Sequence, residues 1–112
     1  TRSFQVQVRS SILLSRSKIM IGIDCTSISR WNSFSLPLRE RMAKLLKQDS
    51  TDPLTLAKSW ACAEAMYKAT GYNPDGYVSF EKGKPPTYVG QEKIFLSLTH
   101  EGNNVIAVAL SV

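Results

Sequence analysis

The order of elements in this chain predicts an α+β domain with its helices on one side of an antiparallel sheet. Three observations point there: a short buried strand comes first, two helices with clear start signals follow, and the remainder alternates turn signatures with strand-like runs. With 112 residues, 43% of them hydrophobic and 21% charged, the chain has material for one core. Its longest apolar runs, residues 12–14 and 105–110, fall far short of the roughly 20 residues needed to cross a bilayer.

Residues 1–19 hold Arg2, Arg9, Arg16 and Lys18 without an acid and are rich in serine. That composition suits an organellar transit peptide, a vector-derived leader, or read-through upstream of a start at Met20. The alternating Phe4-Gln5-Val6-Gln7-Val8 also fits a half-buried strand. An appended leader is the favoured reading, which sets 1–19 apart from a domain at 20–112. The whole chain carries +5, yet residues 20–112 have ten bases against nine acids, so most of the excess belongs to the leader. Diffuse polyanion binding thereby loses its support, and neither a nucleic acid nor a membrane is an expected partner.

Residues 19–24 form a short buried strand ending on the carboxylate of Asp24, with Gly22 allowing close backbone approach. Leu38, Met42, Leu45 and Leu46 recur at helical spacing behind Ser35 and Pro37, leaving Arg39, Arg41, Lys44 and Lys47 on a basic outer face. The best-marked helix has Asp52 as its cap, Pro53 in its first turn and Gly71 at its end, which predicts a helix over about residues 53–70. Asn73-Pro74-Asp75-Gly76 and Lys82-Gly83-Lys84-Pro85-Pro86 are turns around a strand at 77–80. Residues 94–99 and 104–112 make a hairpin about His100-Glu101-Gly102-Asn103. Cys25 and Cys62 match no metal spacing and are expected as buried free thiols, and a single His100 leaves a histidine-based zinc site short of ligands.

On the long helix Trp60, Glu64 and Lys68 are four apart and share one face. An exposed Glu64–Lys68 pair alone is worth only ~0.3–0.5 kcal/mol. What distinguishes this one is the small-residue surround of Ala57, Ala61, Cys62, Ala63, Ala65 and Ala69, which lets the helix pack closely. A Glu64 brought beside Asp24 makes a pair of hard oxygen donors, the kind that holds Mg²⁺ together with waters and substrate phosphates.

Residues 21–24 followed by Ile28 and Arg30, the run Trp60-Ala61-Cys62-Ala63-Glu64-Ala65-Met66-Tyr67-Lys68-Ala69, then Gly83-Lys84-Pro85 and Ser97-Leu98-Thr99-His100 before a final apolar strand, together resemble the 4′-phosphopantetheinyl transferases. Order, spacing and length resemble the small holo-acyl-carrier-protein synthase type, over nearly all of residues 20–112. The resemblance implies that family's α+β fold and its reaction, in which the phosphopantetheine arm of coenzyme A passes to a serine of an apo acyl or peptidyl carrier protein and adenosine 3′,5′-bisphosphate leaves. It also implies Mg²⁺ on Asp24 and Glu64, Glu64 as activator of the serine, and Lys68 steadying the diphosphate or the departing bisphosphate. By the same resemblance His100, with Ser97 and Thr99 beside it, contacts the coenzyme, and Lys84 supplies a further phosphate contact.

Arg30 matches a basic residue that in the family meets the acidic helix of the carrier protein, and Arg39, Arg41 and Lys44 would widen that patch. The small family members are trimers with coenzyme A between subunits, which implies a homotrimer whose His100 serves a neighbour's Asp24 and Glu64. The setting implied is fatty acid biosynthesis in the cytoplasm, or in an organelle if residues 1–19 act as a transit peptide. Two positions depart from the family: the residue before the helix Glu is commonly Lys and one near the start of that block commonly Arg or another polar residue, where this chain has Ala63 and Ser59. Lys58 stands one place away. The alternative is therefore a non-catalytic or degenerate domain of the same fold, retained for assembly or carrier-protein binding.

Overall fold

Strand β1 (Met20–Ser27) is the first described element and is followed by α1 (Ile28–Asn32), α2 (Leu36–Leu45) and α3 (Pro53–Thr70). Strands β2 (Tyr77–Ser79), β3 (Thr87–Val89), β4 (Ile94–Glu101) and β5 (Asn104–Ser111) come next. This is a computed structural model, and it describes residues 19–112; the leader expected at 1–19, with its alternating patch, lies outside the described residues except for Ile19. The five strands form one antiparallel sheet in the order β1-β5-β4-β3-β2, so the first strand returns to pair with the last.

Local chemistry sets the helix ends. Asp52 Oδ2 accepts from the Thr55 N–H at 3.1 Å, Pro53 fills a first-turn position with no donor to satisfy, and Gly71 ends α3 at φ 85° with its N–H on the Tyr67 carbonyl at 2.7 Å. Ser35 caps α2 in the same way, its Oγ accepting from the Leu38 N–H. Between β4 and β5 the turn is Gly102-Asn103 alone, with Gly102 at φ 59°, as a II′ turn asks at its first central position. His100 and Glu101 therefore belong to β4, opposite Val105 and Asn104, and not to the turn.

Two further sequence expectations change. The first strand does not stop at Asp24, because Cys25, Thr26 and Ser27 continue the ladder against Ile106, Val105 and Asn104. Asp24 is thus a mid-strand residue. Cys25 is exposed, since it alternates onto the face of β1 that α3 does not cover; only Cys62 is a buried thiol, pushed up to about 12 by burial.

The close packing foreseen for α3 is realised on the sheet's inner face. Ala57, Ala61, Ala65 and Ala69 are fully buried in one cluster with Ala107 and Ala109. A Cβ on Gly22 would stand 2.0 Å from the Ala65 carbonyl oxygen and 2.6 Å from the Ala69 nitrogen, so helix and strand backbones meet there with nothing between them. Trp31 anchors the helical layer: it is fully buried and its Nε1 donates to Thr26 Oγ1 at 3.0 Å.

Candidate functional site

The contact at Gly22 fixes what happens two residues further along β1. Asp24 lies on the same inner face, and Lys68 Nζ reaches its Oδ1 at 3.0 Å and the Ile23 carbonyl at 3.1 Å. Both partners keep only part of their surface in water, 14% for Asp24 and 23% for Lys68. Glu64 stands one helical turn before Lys68. Its carboxyl is held above the ordinary carboxylate value, first by burial and then by the negative charge of Asp24, while Lys68 and Arg30 pull the other way. Asp24 and Lys68, foreseen as partners of Glu64, and Arg30, foreseen for a different role, thus all act on Glu64 at one place.

Arg30 is positioned by aromatic rings. Its guanidinium carbon lies 6.0 Å from the Trp31 and Phe34 ring centres and 5.9 Å from that of Trp60, a spacing at which a cation is drawn to the ring faces. Helix α1 carries it there because the β4–β5 turn docks on that helix's start. Asn103 Oδ1 accepts from the Ser29 N–H at 2.8 Å, and the Asn103 carbonyl accepts from the Ile28 N–H at 2.8 Å.

Beside Glu64 a cleft of about 380 Å³ opens between α3, the end of α2 and residues 73–78. Leu45, Leu46, Trp60, Met66 and Val78 give it apolar walls, and Ser59 and Ala63 lie in its lining next to Glu64. The two positions that depart from the family pattern are therefore cleft positions. Lys58 is not part of that lining, being about 140° around the helix from Ala63.

The remaining residues singled out in the sequence scatter. His100 is exposed near the end of β4, on the inner face, in the row Thr26–Val105–His100. Two strand spacings and two residues separate it from Asp24, roughly 12 Å between Cα atoms. Ser97 and Thr99 point to the opposite face, beside Val108 and Ile106. Lys84 is exposed in the β2–β3 turn and pairs with Glu81 at 3.0 Å. Arg39 is half-buried and its Nη1 donates to the Thr51 carbonyl at 3.4 Å, whereas Arg41 and Lys44 are exposed along a shallow groove they share with Leu38, Met42 and Leu45.

The fold is similar to that of solved holo-acyl-carrier-protein synthases, in agreement with the sequence resemblance. Similar solved structures include the Helicobacter pylori holo-[acyl-carrier-protein] synthase in complex with coenzyme A, at 24% identity and a TM-score of 0.62, with 83% of this chain and 100% of that one covered. The Neisseria meningitidis enzyme matches at 19% identity and the same TM-score, covering 83% and 97%. The Mycobacterium tuberculosis acyl carrier protein synthase matches at 28% identity and a TM-score of 0.55, covering 81% and 94%. No protein-family model matches the sequence, and no curated protein matches it.

Proposed function

We propose that this chain is a holo-acyl-carrier-protein synthase, which moves the 4′-phosphopantetheine group of coenzyme A onto a serine of an apo carrier protein. The carrying observation is the cluster of Asp24, Glu64 and Lys68 at the edge of the cleft, on the fold those enzymes share. In the reaction the serine Oγ bonds to the phosphorus of the phosphopantetheine arm. The bond from that phosphorus to the bridging oxygen breaks, and adenosine 3′,5′-bisphosphate departs with the electron pair. Glu64 takes the serine proton, directly or through water, and Lys68 offers its positive charge to the diphosphate.

Asp24 and Glu64 fit a magnesium ion, since they are hard oxygen donors whose charges oppose each other and a cation relieves that opposition. When bound, Mg²⁺ supplies charge neutralisation on the diphosphate. Among the described residues no group of three or more His, Cys, Asp or Glu gathers into a metal cluster, so water and phosphate oxygens would complete the shell. Ser59 and Ala63 bring no cation to the cleft, which predicts a modest affinity for coenzyme A.

The acidic carrier protein docks, in this reading, on Arg30 and on the groove flanked by Arg41 and Lys44, where Leu45 is 69% exposed. The working unit is a homotrimer with the site between subunits. The distance of His100 from Asp24 within one chain supports this, as does an apolar outer sheet face containing Ile23, Phe95 and Ile106. Mass spectrometry of a carrier protein incubated with this chain, coenzyme A and Mg²⁺ tests the activity. The carrier gains the phosphopantetheine mass, and Asp24→Ala and Glu64→Ala each slow that gain by about 10²–10³-fold. No gain with any apo carrier overturns the proposal.

A further inference from the structure

One wall of the cleft is irregular chain, residues 73–76 leading into β2, and its hold on the rest of the molecule is not explained by the reaction chemistry. From the α2 side, Lys47 Nζ donates to the Asp75 carbonyl and Gln48 Nε2 to the Val78 carbonyl at 2.8 Å. From the other side come Tyr88 and Glu92. The Tyr88 phenol oxygen accepts from the Gly76 N–H at 3.0 Å and donates to Glu92 Oε1 at 2.6 Å, while the Tyr72 phenol donates to Glu92 Oε2 at 3.1 Å. One carboxylate thus secures the wall at Tyr72, before it begins, and through Tyr88 at Gly76.

The Tyr88 ring is seated by glycines. A Cβ on Gly90 would lie 2.2 Å from the phenol oxygen, and one on Gly76 would lie 2.7 Å from the ring's Cζ and 2.0 Å from the Val89 carbonyl oxygen. Tyr88 is buried there, so its hydroxyl depends on these partners rather than on water. Phenol to carboxylate is a charge-assisted bond, the stronger kind.

We propose that Tyr88 and Glu92 form a clasp that sets the cleft's width for coenzyme A, making them positioning residues for coenzyme binding. The proposal rests on the cleft beside Glu64 being the coenzyme site. A ligand that must order its own wall loses affinity to that ordering, so a wall fixed in advance lowers the coenzyme concentration required. Neither residue's hydrogen bonds involve Asp24, Glu64 or Lys68, so the bond-making step is left intact.

Steady-state transfer from coenzyme A to an apo carrier protein, with the full chain and the variants Tyr88→Phe, Glu92→Ala and Glu92→Gln, tests this. Tyr88→Phe and Glu92→Ala raise KM for coenzyme A about ten-fold and leave kcat within about two-fold, the split expected when binding and not chemistry is lost. Glu92→Gln keeps an amide oxygen for one phenol and recovers most of the affinity. Glu92 is only half-buried, so its variants carry the test should Tyr88→Phe fail to fold. An unchanged KM in Glu92→Ala beside an active wild type overturns the clasp and leaves the activity standing. A fall in kcat common to all three variants, with no rescue by Gln, also overturns it, because general loosening would then be the cause. A wild-type chain that neither binds coenzyme A nor transfers from it removes the site and the clasp together.

Discussion

The two faces of the sheet are built from the same strands by opposite rules. On the inner face the cross-strand rows are Gly22–Ala109–Leu96 and Asp24–Ala107–Leu98, in which the small Gly22, Ala107 and Ala109 let α3 pack closely and Gly22 admits it to backbone contact. The outer face carries Ile21–Leu110–Phe95 and Ile23–Val108–Ser97, mostly large apolar side chains with no described element over them, Phe95 being 53% and Ile106 37% exposed. Inner packing therefore decides where the charges stand, because a helix held away from β1 could not put Lys68 on Asp24. The outer face is free to serve contact with other copies, since nothing in the charge cluster depends on it.

The largest break in this contrast is Gly22→Ala. Its methyl group meets backbone atoms at 2.0 and 2.6 Å, which no rotamer change can move, so helix and strand must separate. Urea unfolding should show a loss of about 3 kcal/mol or more, at the upper end of overpacking costs. Transfer activity should fall with it, because Asp24 and Lys68 move apart. An unaltered midpoint would mean that α3 does not meet β1 at this position.

A finer comparison uses adjacent residues of one strand. Val105 is fully buried on the inner face and Ile106 lies on the outer. Val105→Ala should cost about 2 kcal/mol through lost burial and an unfilled cavity, whereas Ile106→Ala should cost under about 1 kcal/mol in dilute protein. Protein concentration separates the two sites further. If copies associate through the outer face, the cost of Ile106→Ala rises with concentration while that of Val105→Ala does not. Ile106→Glu carries this to its end: sedimentation should show smaller particles than the wild type, with the unfolding of the single chain little changed. A particle size identical to that of the wild type would remove the outer face as the contact.

What could be seen in the sequence follows from which interactions are local. Helix α3 was legible at both ends, because Asp52, Pro53 and Gly71 act within a turn of each end. The approach at Gly22 and the shared face of Glu64 and Lys68 were legible too, from residue size and from spacing. The last three residues of β1 were not, since Cys25, Thr26 and Ser27 show no apolar period and are strand only through β5. Helix α1 was missed for a similar reason: five residues carry no periodicity, and it is Asn103 and the burial of Trp31 that hold it. The cleft was beyond the sequence, its walls being drawn from α2, α3 and residues 73–78 at once. The Tyr72–Glu92–Tyr88 bonds were hidden likewise, for they close over 20 and 4 residues without any motif.

The smallest effect concerns Glu92, a carboxylate in the loop between β3 and β4. Glu92 is held below the ordinary 4.5 by the Tyr88 phenol first, then by its own backbone N–H and the Tyr72 phenol, with burial opposing. A carboxyl depressed in the folded state contributes stability that is fully present above its unfolded value and fades as pH falls through the folded one. Tyr72 and Tyr88 are both held above their ordinary 10.0, so they stay protonated throughout this acid range and Glu92 alone among the three titrates. The stability difference between wild type and Glu92→Gln should accordingly be constant above about pH 6 and shrink as pH drops below 4.5. Thermal melts of both proteins at matched ionic strength read that difference directly. A gap that stays constant down to pH 3 would show that the phenols do not bind the carboxylate more tightly than the carboxyl, and the clasp would lose its electrostatic basis.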